Sequence, residues 1–134
     1  MNQVVLNKKV SIERCVAQVR NYYAMKSELP FKDDYLKQDA IAMNLQRACE
    51  LAIDIANLLI KTKKLGLPQD SKESFLLLQR AGLINETMMT ALQAMVGFRN
   101  ILVQKLDLDI MVEIIERRLG DVLDFANFAL AASD

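Results

Sequence analysis

The 134-residue chain has the sequence of an all-α protein, an up-and-down bundle of four longer helices plus one short helix, and three observations predict this. Hydrophobic residues make up 52% while Gly and Pro number only 4 and 2, a balance that favours long uninterrupted helices over turn-rich sheets. Apolar side chains recur at three- and four-residue spacing through most of the chain, each run defining one face of a helix. The links between runs are short and no internal repeat is visible, so neighbouring helices pack antiparallel in one core. The length fits a single domain over residues 1–134, one that would bury roughly two thirds of the surface its unfolded chain exposes.

The first helix is expected over about Asn7 to Met25, with Ile12, Cys15, Val16, Val19, Tyr22 and Tyr23 on its apolar face. Pro30 ends that pattern, since it restricts the residue before it and has no backbone N–H. A loop to about Tyr35 follows. The second and longest helix is expected over Leu36 to Lys64. Ile41, Leu45, Ala48, Ala52, Ile55 and Leu59 line one side; Asn44, Arg47, Glu50, Asp54, Asn57 and Lys61 form a polar stripe on another. Such a stripe is ordinarily a solvated face with helix-spanning ion pairs. Leu65-Gly66-Leu67-Pro68 closes the helix by pairing a terminal Gly with a Pro beyond it.

A short helix is expected over Lys72 to Ala81, with a weak start signal at Ser71 and Ser74 and an end at Gly82. Asn85 is then placed to cap a fourth helix running from Glu86 to at least Val103, with Glu86 favourably set in the first turn. Asp107-Leu108-Asp109 supplies acidic caps for a fifth, which carries Met111, Ile115, Leu119, Val122, Ala126 and Ala129 inward and reaches about Ala132.

Charge and composition exclude several chemistries. Lys plus Arg and Asp plus Glu both number 17, so no bulk positive field recruits nucleic acid; any RNA contact must come from a local arrangement of charge or a dimer groove. There is no histidine, which removes histidine metal sites, serine–histidine triads and the side chain best suited to proton transfer near neutral pH. The two cysteines, Cys15 and Cys49, sit on partly apolar helix faces and read as small core residues. No metal or cofactor is expected. No apolar run is long enough for a signal peptide or for the about 20 residues of a membrane span, so a cytoplasmic protein is expected.

One residue does not suit a bland bundle. Met88, Leu92, Met95, Arg99 and Leu102 share a stripe on the fourth helix, which puts Arg99 where a core residue is expected. A guanidinium cannot shed its proton to escape burial, so it needs an acidic partner or a solvent-filled cleft. Glu50 or Asp54 on the second helix could supply the acid. Gly97, two residues earlier, costs the helix about 1 kcal/mol relative to Ala and either admits a neighbouring helix closely or is simply tolerated.

The string Val96-Gly97-Phe98-Arg99-Asn100-Ile101-Leu102-Val103-Gln104-Lys105-Leu106 resembles the active-site segment of the HepT toxins of the HEPN ribonuclease superfamily. There an Arg-Asn pair is followed by His, any residue and Tyr. The likeness extends to Asn44 through Asn57, the Gly66-Leu67-Pro68 turn, Ser74-Phe75 and Leu108-Asp109-Ile110, nearly the whole chain. It implies that Arg99 binds the scissile phosphate of RNA, with Asn100 beside it and Arg47, Glu50, Asp54 and Asn57 in support. It also implies a homodimer whose Arg-bearing helices meet in an RNA cleft. The expected partner is an MntA-type nucleotidyltransferase antitoxin, which transfers AMP to the motif tyrosine, as in a type VII toxin–antitoxin pair.

Here the chain departs from the family. Gln104 stands at the His position and Leu106 at the Tyr position. Gln104 can only hydrogen-bond, and Lys105, with an ordinary pKa of about 10.4, is a poor base at neutral pH. Either two residues are substituted, or a His-acid-Tyr block is missing between Val103 and Gln104, in which case both flanks align without adjustment. Removing three residues from a continuous helix turns the remainder of that helix by about 300°, which a bundle could absorb. Both accounts predict a ribonuclease by descent that is inactive. Two other readings remain: a non-enzymatic helical subunit that partners a nucleotidyltransferase, and a structural dimer in which Arg99 and Asp54 form a buried pair.

Overall fold

A computed structural model describes residues 2–102 and 104–133. Among them are six helices: α1 (Gln3–Ala24), α2 (Tyr35–Lys63), α3 (Ser71–Arg80), α4 (Glu86–Ile101), α5 (Leu108–Arg117) and α6 (Leu119–Ala132). The all-α class and the four longer helices are as expected. α1 packs along the length of α2, α6 lies against α1, α2 and α4, and α3 bridges α2 and α4. Their apolar stripes meet in one core, at whose centre Phe75 of α3 and Phe125 of α6 stack edge to face with ring centroids 5.6 Å apart.

The helix ends show which local rules decide. α1 begins four residues before the expected start because the Asn2 side chain accepts from the Val5 N–H and caps it. After Pro30 a single 3-10 turn, Phe31–Asp33, leads to Asp34, which caps α2 by accepting from the Lys37 N–H at 3.1 Å. At the other end of α2 the capping residue is Lys64, left-handed at φ 55° and ψ 51°, two residues before Gly66, whose φ of 112° is also positive; the Leu65 N–H returns to the Ile60 carbonyl at 3.0 Å. That conformation costs a non-glycine residue roughly 1–2 kcal/mol. Asp70 caps α3, accepting from the Glu73 N–H at 2.8 Å, a stronger start than Ser71 and Ser74 suggest. Gly82 (φ 77°) closes α3, and Asn85 caps α4 from 2.8 Å, both where expected.

Two expectations fail. The last helix is not continuous to Ala132: the chain kinks at Arg118 (φ −115°), so α5 and α6 are separate and the bundle has two short helices, not one. The apolar spacing runs through the kink without losing register, as buried Met111, Ile115, Leu119 and Val122 show, so periodicity alone does not reveal it. Secondly, α4 ends at Ile101 rather than continuing to at least Val103, which itself lies outside the described residues. The N–H groups of Gln104 and Lys105 both return to the Ile101 carbonyl, at 3.0 and 2.8 Å, and the connection to α5 leaves the helix there. Because the chain has already left the helix, a three-residue loss at this point need not rotate α5 or α6.

Candidate functional site

Arg99 lies in the last turn of α4, its side chain 21% exposed, and the acid that meets it is Glu50. Nη1 donates to Glu50 Oε1 at 3.0 Å, Nε and Nη2 donate to Asn100 Oδ1 at 3.2 and 2.8 Å, and Nη2 also reaches Ser71 Oγ at 3.4 Å. Most of the guanidinium's donors are therefore engaged. The burial problem is met in both ways at once: one carboxylate partner, itself half-exposed, and an open side toward solvent. Asn100 works from the adjacent position because its amide oxygen reaches across the fork.

The rest of the polar stripe scatters. Asp54 pairs with Lys8 of α1 at 3.3 Å, which dismisses a buried Arg99–Asp54 pair. Asn57 accepts from the Ser74 hydroxyl at 2.7 Å, and so ties α2 to α3. Arg47 turns into a cavity between α1 and α2. Asn44 is not solvated: it is buried and donates to the Ala40 carbonyl at 2.8 Å. Of Arg47, Glu50, Asp54 and Asn57, the supporting residues expected from the sequence, only Glu50 touches Arg99.

Two further residues lie at the site that the sequence marks only as the start of the short helix. Ser71 and Lys72 open α3 behind the Asp70 cap, and it is the packing of α3 on α4 that brings them to Arg99 and Gly97. The Lys72 ammonium lies over Gly97, 3.5 Å from where a Cβ there would stand, while its carbonyl accepts from Gln93 Nε2 at 2.9 Å. Gly97 thus leaves room for a cation delivered by α3.

Groups able to move a proton are scarce. Gln104 and Lys105 are exposed, with Lys105 Nζ 3.9 Å from Asp107 Oδ2, and Leu106 packs against the core. Cys49 neighbours the Arg99–Glu50 pair, but burial pushes its thiol up to about 12, outweighing the lowering effect of Arg99. Burial likewise raises the Cys15 thiol against the opposing pull of Arg47 and Arg14. Among the described residues no cluster of three metal-ligating side chains exists, and no helix is long and apolar enough to cross a membrane.

A six-helix bundle that presents an Arg-Asn pair from the end of its fourth helix, beside a carboxylate of the second, defines a HEPN-type protein. The chain belongs to the HepT-like ribonuclease family, whose model matches residues 12–128. It is 41% identical over 128 residues to the mRNA nuclease HepT of Shewanella oneidensis, covering 93% of this chain and 95% of that one. Its fold matches the tri-AMPylated Shewanella oneidensis HEPN toxin solved in complex with an MNT antitoxin, at a TM-score of 0.89 and 40% identity over 98% of this chain and 99% of that one. A toxin–antitoxin structure with AMP-PNP matches equally, at a TM-score of 0.89 and 40% identity over 97% and 99% of the two chains.

Proposed function

We propose that this chain is the toxin-type subunit of a toxin–antitoxin pair, a single HEPN domain that retains the RNA-binding arginine and lacks nuclease activity. One observation carries the reading. Arg99 is held by Glu50, Asn100 and Ser71, while Gln104, Lys105 and Leu106 stand where the family places His, a variable residue and Tyr. Metal-independent cleavage requires a proton taken from the ribose 2′-hydroxyl and one given to the leaving oxygen. Arg99 can bind and polarise the phosphate, and Asn100 can fix the guanidinium plane. Gln104 can accept or donate a hydrogen bond but cannot exchange the proton. RNA is therefore bound and not cut.

A homodimer is part of this proposal. The exposed apolar residues Tyr35, Leu36 and Met43 on the first half of α2 support it, with Leu102 and Leu106 in the shallow depression beside Met43. The partner is a nucleotidyltransferase of the MNT class, as in the complexes of the relatives, and the chain binds RNA in the cytoplasm. The other reading, a non-enzymatic binding subunit for that nucleotidyltransferase, gains from the same loss of imidazole; it predicts partner binding without RNA binding.

Inserting His, an acidic residue and Tyr after Val103 tests the proposal. The expected result is recovered RNA cleavage; an inert product with an intact fold counts against it. With the partner and labelled ATP, the present chain should stay unlabelled, since no residue matches the family tyrosine. Label on this chain would refute that.

A further inference from the structure

A cavity of about 550 Å³ lies between α1 and α2, within the range of small-ligand pockets. Its floor is apolar, formed by Cys15 and Leu51. Arg14 and Gln18, one turn apart on α1, form one wall, and Arg47 on α2 the other. Both guanidiniums act on the Cys15 thiol, so the two cations converge on one patch. Among the described residues, Lys8, Lys9, Arg99, Lys105 and Arg118 each have a carboxylate within ion-pair distance, and neither Arg14 nor Arg47 does. Two like charges facing each other over an apolar floor, neither of them paired with Glu50, the one acid of the lining, call for an anionic ligand with a flat apolar part.

The cavity also ends at a telling residue. Glu50 lines it and is the same carboxylate that holds Arg99. A strand whose phosphate meets Arg99 would pass Glu50 and continue between the two arginines. In a chain of zero net charge, this is where local positive potential for a polyanion can come from.

We propose that the α1–α2 groove is a second nucleotide subsite for single-stranded RNA, adjacent to Arg99. Arg14 and Arg47 hold consecutive backbone phosphates, Leu51 and the Cys15 side chain take the face of a base, and Gln18 offers a hydrogen bond to its edge. This rests on the RNA-binding reading of Arg99 and extends it from one phosphate to a directional track along α2.

The test is salt-dependent binding of a fluorescent, non-cleavable 2′-fluoro hexanucleotide to the unmodified chain, R99A, R14A/R47A and R14K/R47K. Each single-strand phosphate contact contributes about 0.7 to the slope of log affinity against log salt. The alanine pair should therefore flatten the slope by about 1.4 and weaken binding near 0.1 M salt by about 25-fold, and the lysine pair should restore the slope. Both arginines are exposed, so the variants should keep the fold, which circular dichroism checks. If R99A weakens binding and R14A/R47A does not, the groove assignment falls while the Arg99 reading stands. If the unmodified chain binds no RNA, both fall. If R14A/R47A spares RNA binding and abolishes binding of the nucleotidyltransferase partner, the groove belongs to a protein contact and the proposal is overturned.

Discussion

Glu50 is placed to affect stability and RNA affinity in opposite directions, and Glu50→Gln separates the two. The carboxylate is 51% exposed and its guanidinium partner 21%, so solvent screens the pair. Such pairs contribute about 0.2–1 kcal/mol, and Gln keeps an oxygen for Nη1 to bond, so the stability loss should stay below about 1 kcal/mol. In a chain of this size that lowers Tm by a few degrees, about 2–6 °C at most. RNA binding should tighten. A phosphate at Arg99 would lie about 5 Å from the Glu50 carboxylate, a repulsion of about 1–3 kcal/mol between bulk-water and near-surface dielectric values. Mobile ions reduce this toward the lower figure at moderate salt, for an expected gain of about five- to tenfold in affinity. Thermal unfolding and fluorescence anisotropy with the hexanucleotide measure the two effects on one preparation. Weaker RNA binding by E50Q would refute the reasoning, because it would mean that Glu50 orients Arg99 for the phosphate more than it competes with it.

Two further predictions concern the scaffold. Phe75→Ala removes a fully buried ring stacked on Phe125 and should cost about 3–5 kcal/mol, read as a lowered urea midpoint with little change in slope. The Asp34 carboxyl is held below its usual range by hydrogen bonds from the Ser27 hydroxyl and the Lys37 backbone N–H. Since the folded chain binds that proton more weakly than the unfolded one, the stabilisation is present above the ordinary carboxylate pKa. It is lost as pH falls through the lower, folded value. D34N, which keeps a cap without a titrating group, should flatten the acid limb of Tm against pH; an unchanged limb would show that other carboxylates govern it.

Much of the fold is legible in the sequence because it depends on local chemistry. Pro30, Gly82 and Asn85 each act within a few residues, and the apolar spacing of α2 leaves little freedom over its 29 residues. The departures share a cause: a competing signal that periodicity does not register. Asn2 and Asp70 cap helices from polar positions outside the apolar runs, and the kink at Arg118 interrupts the backbone ladder without disturbing the register of buried side chains. At the site, Arg99 stands out because a cation in an apolar stripe needs a partner. Which acid meets it depends on the angle between α2 and α4, which sequence spacing does not define, and the neighbouring Asp54 turns instead to Lys8. The convergence of Arg14 and Arg47 is equally a property of packing, since the two lie on different helices.

The early end of α4 has a thermodynamic side. With the helix stopping at Ile101, Arg99 sits in its final turn, where the partial negative charge of the unpaired carbonyls favours a cation by about 0.3–1 kcal/mol. Extending the helix by three residues would carry that terminus about 4.5 Å away and leave the guanidinium in mid-helix, with only Glu50 to balance it. An insertion that lengthens the helix would therefore give up some folding free energy, and the cation, less well compensated, would be more available to a phosphate.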